Sequence, residues 1–438
     1  MTGHDGRHRG LSRRHSRRGV SRRFADIRLR GRSALAAFLA VLGPGLLAGL
    51  SDDDPAGIGT YAVLGAEHGY GLLWIIPLST VLLIWFHLLA VRIGAATGLG
   101  FVANLRVRWG HRAGWLAAAG LLFANFGTIC AEYAGIASAA ELAGIPAWFS
   151  APAAAVLISV VVVLGSFHRV EGVLLVISST LALYLVDGLL AGPDWGQVLQ
   201  GSLIPRLPVT EAGWVVLTAT LGTTLAPWGL AFIQSYAVDK KISLADLRVE
   251  RIEVTAGSVL TGVIGMAIAV ACAATLYPHG VHVQDAADVA RSLEPMAGAW
   301  AKLLFGVGLL GASLLAAAVV PLATAYSIAE GLGVSASLDL DARRFQLFYA
   351  VYIGLTIAAA SVVVLPGLPL LPLMFSSQVV NAVLLPLHVL ALLLLGRDQQ
   401  TMGTARTGPL STTISWVCLA MIVTCVAAMT VQWLQHSA

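Results

Sequence analysis

Two stretches decide the fold: GPGLLAGLSDDDPAGIG, from Gly43 to Gly59, and LGTTLAPWGL, from Leu221 to Leu230. Each lies inside an apolar run, and each carries a proline among small residues near its middle. Proline removes one helical hydrogen bond and crowds the preceding turn. Each run therefore predicts a helix that unwinds near mid-bilayer. Such a break is stable only where it faces protein or a water-filled cavity. Pro55 and Pro227 stand 172 residues apart.

The rest of the chain fits a membrane setting. It has 438 residues, of which 57% are hydrophobic and 11% charged. Its mean hydropathy is +0.81. Soluble domains average about 25% charge, which excludes a water-soluble globular protein. Eleven apolar segments lie at about 34–65 (interrupted), 70–94, 113–139, 148–165, 171–191, 212–236 (interrupted), 252–277, 297–331, 344–365, 370–395 and 410–434. A crossing needs roughly 20 residues, so most of these span, and the short fourth stands nearly upright. The interrupted segments are the first and the sixth. Spans 1–5 and 6–10 then form two inverted repeats, each opening with a broken helix. The expected fold is an all-α polytopic bundle. Its first repeat is about 34–192, its second about 212–396, and an extra helix follows at about 410–434.

Charge sets the orientation. Residues 1–32 hold 11 arginines against Asp5 and Asp26, and the whole chain has a formal net charge of +4. With the N-terminus inside, 24 of the 27 Lys and Arg fall on the cytoplasmic side. Only Arg206, Arg291 and Lys302 fall outside. That asymmetry predicts a cytoplasmic N-terminus and, after eleven spans, an external C-terminus in the cell membrane. Residues 1–33 read as a disordered basic arm held near anionic lipid. A nucleic-acid partner is not expected, because the arm carries only Phe24 beside its charge. Nor does it read as a cleaved signal peptide, because no short apolar region with a small-residue cleavage site follows. Cys130, Cys272, Cys418 and Cys425 lack metal-ligand spacing and read as small core residues.

The chemistry gathers at the breaks. Asp52, Asp53 and Asp54 sit within an apolar span, where a carboxylate costs at least about 2.5–3.5 kcal/mol. Either the span stops at Leu50 and the three form a loop end, or they belong to a cation site made of carboxylate and unwound backbone carbonyls. Glu132 stands in the third span, either hydrogen-bonded between helices or acting as a proton or ion relay. His87 reads as a packed histidine and Asp187 as an interfacial residue. His279, His282, Asp285 and Asp288 read as an ordinary polar outer loop.

GPGLL…DPAG, followed by GAEHGYGLLW (Gly65–Trp74), resembles the first-span signature of the Nramp family of divalent-metal transporters, usually GPGLL…DPGN. TTLAPWGLAFIQSYAV resembles that family's sixth-span signature, usually ATVMPH. The resemblance covers the whole chain in span number, orientation and break position. It implies a LeuT-like inverted repeat and transport by alternating access. It also implies a metal held by Asp54, by carbonyls of Ser51, Thr223 and Ala226, and by Gln378 and Asn381. Asp52, Asp53, Gly57 and Trp228 are expected in the cavity or vestibule.

The departures from the family point in one direction. Gly57 stands where the family has asparagine. Ala226-Pro227-Trp228 replaces Met-Pro-His, so the thioether is gone. Ile129 replaces an acidic residue linked to proton movement, while Glu132 remains. A thioether favours softer transition metals. Magnesium prefers oxygen and keeps its waters. The pattern resembles the Nramp-related magnesium branch and implies import of Mg2+, with Mn2+ also accepted and weak or absent proton coupling. The metal is cargo, no cofactor is expected, and the chain is expected to be a monomer. The main alternative is an ordinary proton-coupled Mn2+ or Fe2+ symporter. A sodium-coupled organic-solute carrier on the same scaffold is disfavoured by the motifs. A channel would need matched pore elements. An intramembrane hydrolase would need a catalytic motif, and neither Gly-x-Ser-x-Gly nor His-Glu-x-x-His is present.

Overall fold

The computed structural model describes residues 54–163, 183–293, 298–334 and 346–437. The basic arm, the first half of the first span and most of the fifth span lie outside these residues. So do Ser51, Asp52 and Asp53.

The described elements are helices, and the α-helices of six residues or more set the fold. In chain order they are α1 (Pro55–His68), α2 (Ile75–Thr97), α3 (Phe101–Trp109), α4 (His111–Leu142), α5 (Ala147–Val163), α6 (Leu183–Leu190), α7 (Trp195–Leu203), α8 (Glu211–Thr224), α9 (Pro227–Asp239), α10 (Leu247–Thr275), α11 (Ala286–Arg291), α12 (Ala301–Leu332), α13 (Gln346–Val363), α14 (Leu370–Arg397) and α15 (Pro409–Ser437). Among the described residues, eight helices are long and apolar enough to cross a membrane, counting α8 and α9 as one crossing. The chain is an all-α multi-pass membrane protein.

The sixth span breaks where the proline predicts. α8 ends at Thr224, Leu225 and Ala226 leave the helical path, and Pro227 restarts it as the first residue of α9. Pro55 likewise opens α1. In both cases the imino nitrogen stands where a helix has no intrahelical bond to lose. Proline alone does not break a span here, because Pro152, Pro321 and Pro386 sit inside continuous helices.

Burial sorts the helices. The most apolar window of the α8–α9 crossing is 94% buried in protein, against 28% for α15. The broken span is therefore interior, as unpaired backbone requires, and α15 is a peripheral helix. α1 packs against α10, α8, α14 and α4, while α8 packs against α14, α1 and α15. Small residues permit the close crossings. A methyl on Gly135 of α4 would fall 2.4 Å from the Pro55 side chain. The start of α1 thus rests directly on α4.

α3 and α7 were not among the eleven apolar segments. At nine residues each they are too short to span. α3 buries Phe101, Val102, Asn104 and Leu105 and exposes Val107 and Trp109, while Arg108 pairs with Asp398.

Candidate functional site

The site is built where the two half-helices begin. Asp54 is the N-cap of α1, 3% exposed, in extended conformation. Its carboxylate accepts the Gly57 N–H, and its carbonyl accepts the Ile58 N–H at 3.0 Å. Capping satisfies one orphan donor and places negative charge at the positive end of the helix dipole. Gly57, expected in the cavity or vestibule, is the donor to this cap.

The Asp54 carboxyl also meets that of Glu132, on α4. Glu132 is fully buried, and neither of its oxygens receives a hydrogen bond from a protein donor. No hydrogen bond joins the two carboxyls, so they are electrostatic neighbours and not a bonded pair.

A second group forms one turn away. Asn381 and Gln378, both fully buried on α14, join through Asn381 Nδ2 donating to Gln378 Oε1 at 3.0 Å. Asn381 Nδ2 also donates to the Thr128 hydroxyl at 3.1 Å. Thr128 lies four residues before Glu132 and therefore on the same face of α4. The carboxamide pair and the carboxyl pair thus share one helix face. Each carboxamide oxygen keeps acceptor capacity beyond the bonds it makes here.

α8 closes the arrangement. A methyl on Gly222 would lie 2.0 Å from the Gln378 carbonyl oxygen and 2.7 Å from the Ala382 nitrogen, so these two backbones touch. The next residue, Thr223, is 2% exposed, and its hydroxyl has no hydrogen-bond partner. Its carbonyl lacks a helical partner as well, because the residue four positions on is Pro227, which has no N–H. Ala226 differs, since its carbonyl accepts the Gly229 N–H at 3.0 Å and the Leu230 N–H at 3.3 Å. Trp228 is 1% exposed with an unpartnered indole N–H, and it sits beside Phe232.

The structure therefore brings Asp54 near Glu132, joins Gln378 to Asn381, and sets Gly222, the residue before Thr223, against the backbone of Gln378. Sequence reasoning missed Thr128 as the partner of Asn381. It also missed a hydroxyl cluster in which Tyr61 and Ser79 both reach Thr224, at 3.0 and 3.1 Å. One signal was available: Asn125, Thr128 and Glu132 recur at helical spacing in an apolar span. Asn125 meets Thr324 at 2.8 Å.

The other candidates are accounted for. Among the described residues, no three His, Cys, Asp or Glu side chains are grouped to hold a metal. His87 is buried on α2. The side chain of Asp187 lies outside the description. Asp285 caps α11, Asp288 pairs with Arg291 at 2.9 Å, and His282 meets Glu67 at 3.1 Å. Among the described residues the four cysteines form no disulfide, and three of them are buried.

Residues 45–432 match the family model described as natural resistance-associated macrophage protein-like, Nramp. The chain belongs to the Nramp family. It is accordingly a transporter and not an enzyme, and metal is cargo rather than cofactor. Its relatives include the divalent metal cation transporter MntH of Deinococcus radiodurans, 28% identical over 417 residues, covering 90% of each chain. MntH of Caldanaerobacter subterraneus subsp. tengcongensis is 26% identical over 387 residues, covering 86% of this chain and 89% of that one. Among solved structures, the manganese transporter of Eremococcus coleocola matches with a TM-score of 0.70 at 20% identity, covering 92% of this Nramp chain and 88% of the other. MHP1, a nucleobase-cation-symport-1 transporter, matches at 0.52 and 15%, covering 89% and 91%. Both likenesses concern the fold.

Proposed function

We propose that this Nramp chain imports hard divalent cations, Mg2+ with Mn2+ also accepted, by alternating access and with weak or no proton coupling. Divalent-metal transport is the activity named for its MntH relatives. The finer choice is supported by one observation: the buried polar side chains assigned here to the site offer oxygens. They are the Asp54 carboxylate, the Thr223 carbonyl and hydroxyl, and the carboxamides of Gln378 and Asn381. Position 226 is an alanine. Met374, one turn from Gln378 on α14, packs toward Gly59, along α1 from the break. Oxygen ligands with room for water suit an ion that sheds its hydration reluctantly. In this reading Glu132 serves as ion or proton relay, and Ser51 adds a carbonyl. Asp52 and Asp53 concentrate cations in the vestibule. Residues 1–33 lie on anionic lipid, the N-terminus faces the cytoplasm, and the chain works as a monomer.

A second reading, proton-coupled Mn2+ or Fe2+ symport, has the Asp54–Glu132 carboxyl pair in its favour. One assay separates them: Mg2+ and Mn2+ uptake into proteoliposomes, with an internal pH dye read in parallel and Asp54→Asn as control. The expected result is uptake of both ions without acidification, abolished in the control. Mn2+ uptake with acidification and no Mg2+ uptake would establish the second reading. Uptake that survives Asp54→Asn would remove Asp54 from the site.

A further inference from the structure

At the end of α9 remote from the break, one carboxylate holds three helices. Glu330 lies in the last turn of α12. A negative charge there opposes the helix dipole of α12 itself. Its stabilisation comes from elsewhere. Glu330 Oε2 accepts the backbone N–H groups of Val102 and Ala103, at 3.0 and 3.2 Å. These are orphan donors in the first turn of α3, whose own N-cap is Gly100 and supplies no side chain. Glu330 Oε1 accepts the hydroxyl of Ser235, on α9, at 2.7 Å. A methyl on Gly100 would fall 1.7 Å from Oε1, so glycine leaves the carboxylate its seat.

The neighbouring residue adds a second thread. Gln234 Nε2 donates to the Leu99 carbonyl at 3.1 Å. The loop receiving it is itself stiff, because Asn104 Nδ2 donates to Thr97 Oγ1, the Leu99 carbonyl and the Gly100 carbonyl at 2.9–3.1 Å. Ser235 lies about 12 Å along the helix from Pro227. The helix that starts at the ion site is therefore tied down at its far end.

We propose that Glu330 is a latch. It caps α3 and clasps Ser235 together, holding the far end of α9 on the α2–α3 connection and closing the site on that side. Releasing Ser235 frees α9 when the site opens there. This rests on the alternating-access reading of the site.

The test uses the full chain in lipid nanodiscs without metal, with hydrogen exchange read over 101–109 and 227–239. A hydrogen bond to a charged acceptor holds a segment closed by roughly ten-fold or more in equilibrium. Ser235→Ala is expected to speed exchange at the end of α9 by about that factor, with α3 unchanged because Glu330 still caps it. Glu330→Ala is expected to speed exchange in both segments. In uptake assays Ser235→Ala is expected to raise the apparent KM for external metal, since fewer molecules face outward. If Ser235→Ala alters neither α9 exchange nor KM, and the effect of Glu330→Ala is confined to α3, then Glu330 is a helix cap and no latch. Faster exchange with an unchanged KM also overturns the gating role. Should Glu330→Ala fail to fold, Ser235→Ala, which removes one hydroxyl, decides alone. Because exchange is read without metal, the result stands apart from which ion is carried. Failure of the transport reading would show separately, as absent uptake by the unmodified chain.

Discussion

Gly222→Ala probes the site without touching a proposed ligand side chain. The added methyl would sit 2.0 Å from the Gln378 carbonyl oxygen and 2.9 Å from the Ala382 Cβ. The first contact is about 1.5 Å inside the normal separation of non-bonded heavy atoms. The obstructing atom is backbone within α14, so no rotamer change relieves it, and α8 and α14 must move apart by a comparable distance. Alanine in place of a helical glycine gains about 1 kcal/mol in propensity. Overpacking of a close-packed interior costs typically about 1–3 kcal/mol. The methyl meets two groups on a facing backbone, so overpacking wins and a net loss of up to about 2 kcal/mol follows. The larger effect falls on the site. Thr223 is carried by the helix that moves, and Gln378 and Asn381 by the helix it leaves. A displacement near 1 Å between groups that must converge costs up to about 100-fold in function. The assay is calorimetric titration of Mg2+ and Mn2+ into the purified full chain, beside its melting temperature. Gly354→Ala on α13 is the control, because nothing lies within 4 Å of that methyl. It should bind normally and melt no lower than the unmodified chain. Normal ion affinity and an unchanged melt for Gly222→Ala would refute the convergence of α8 and α14 on one site.

Two further substitutions test separate parts of the structure. Thr223→Val keeps the carbonyl and removes the buried, unpartnered hydroxyl; it should weaken Mg2+ binding about ten-fold while Thr223→Ser restores it, and equal affinities would remove the hydroxyl from the site. Outside the spans, the Arg108 guanidinium grips Asp398 with two hydrogen bonds, at 2.8 and 3.2 Å, and holds its carboxyl below the usual carboxylate range. That stabilisation is present above the ordinary aspartate value of about 3.9 and is lost as pH falls through the lower folded value. Asp398→Asn should therefore lower the melting temperature at pH 7 and lose its effect as the solution is acidified, and a deficit that does not shrink with acidification would refute the ionic origin.

The broken sixth span was legible because proline and small residues interrupt an apolar run that has no other reason to stop. Pro227 acts with the chain leaving the helix at Leu225 and Ala226, whereas Pro321 and Pro386 are absorbed into helices held by their neighbours. A single proline does not separate the two cases, whereas its recurrence at the corresponding position, Pro55, does. Asp54 was legible because an acid at membrane depth needs a reason. Its partner Glu132 was visible as an acid but not as a neighbour, since 78 residues separate them and only packing on α4 joins them. α3 was invisible to a search for spans. Its role emerges from Glu330, which meets it across more than 200 positions.

The Thr223 carbonyl has one more consequence. It is presented by the main chain and left unpaired by a proline four residues away, so no substitution at 223 itself can delete it. Mutation can strip the hydroxyl, widen the cavity at 226 or reshape its wall at 228, and the carbonyl persists through every such change as long as Pro227 remains. A site built this way divides into a heritable frame and adjustable fittings. If the proposed site holds the ion, preference among ions can drift through the side chains by single steps while the carbonyl stays in place.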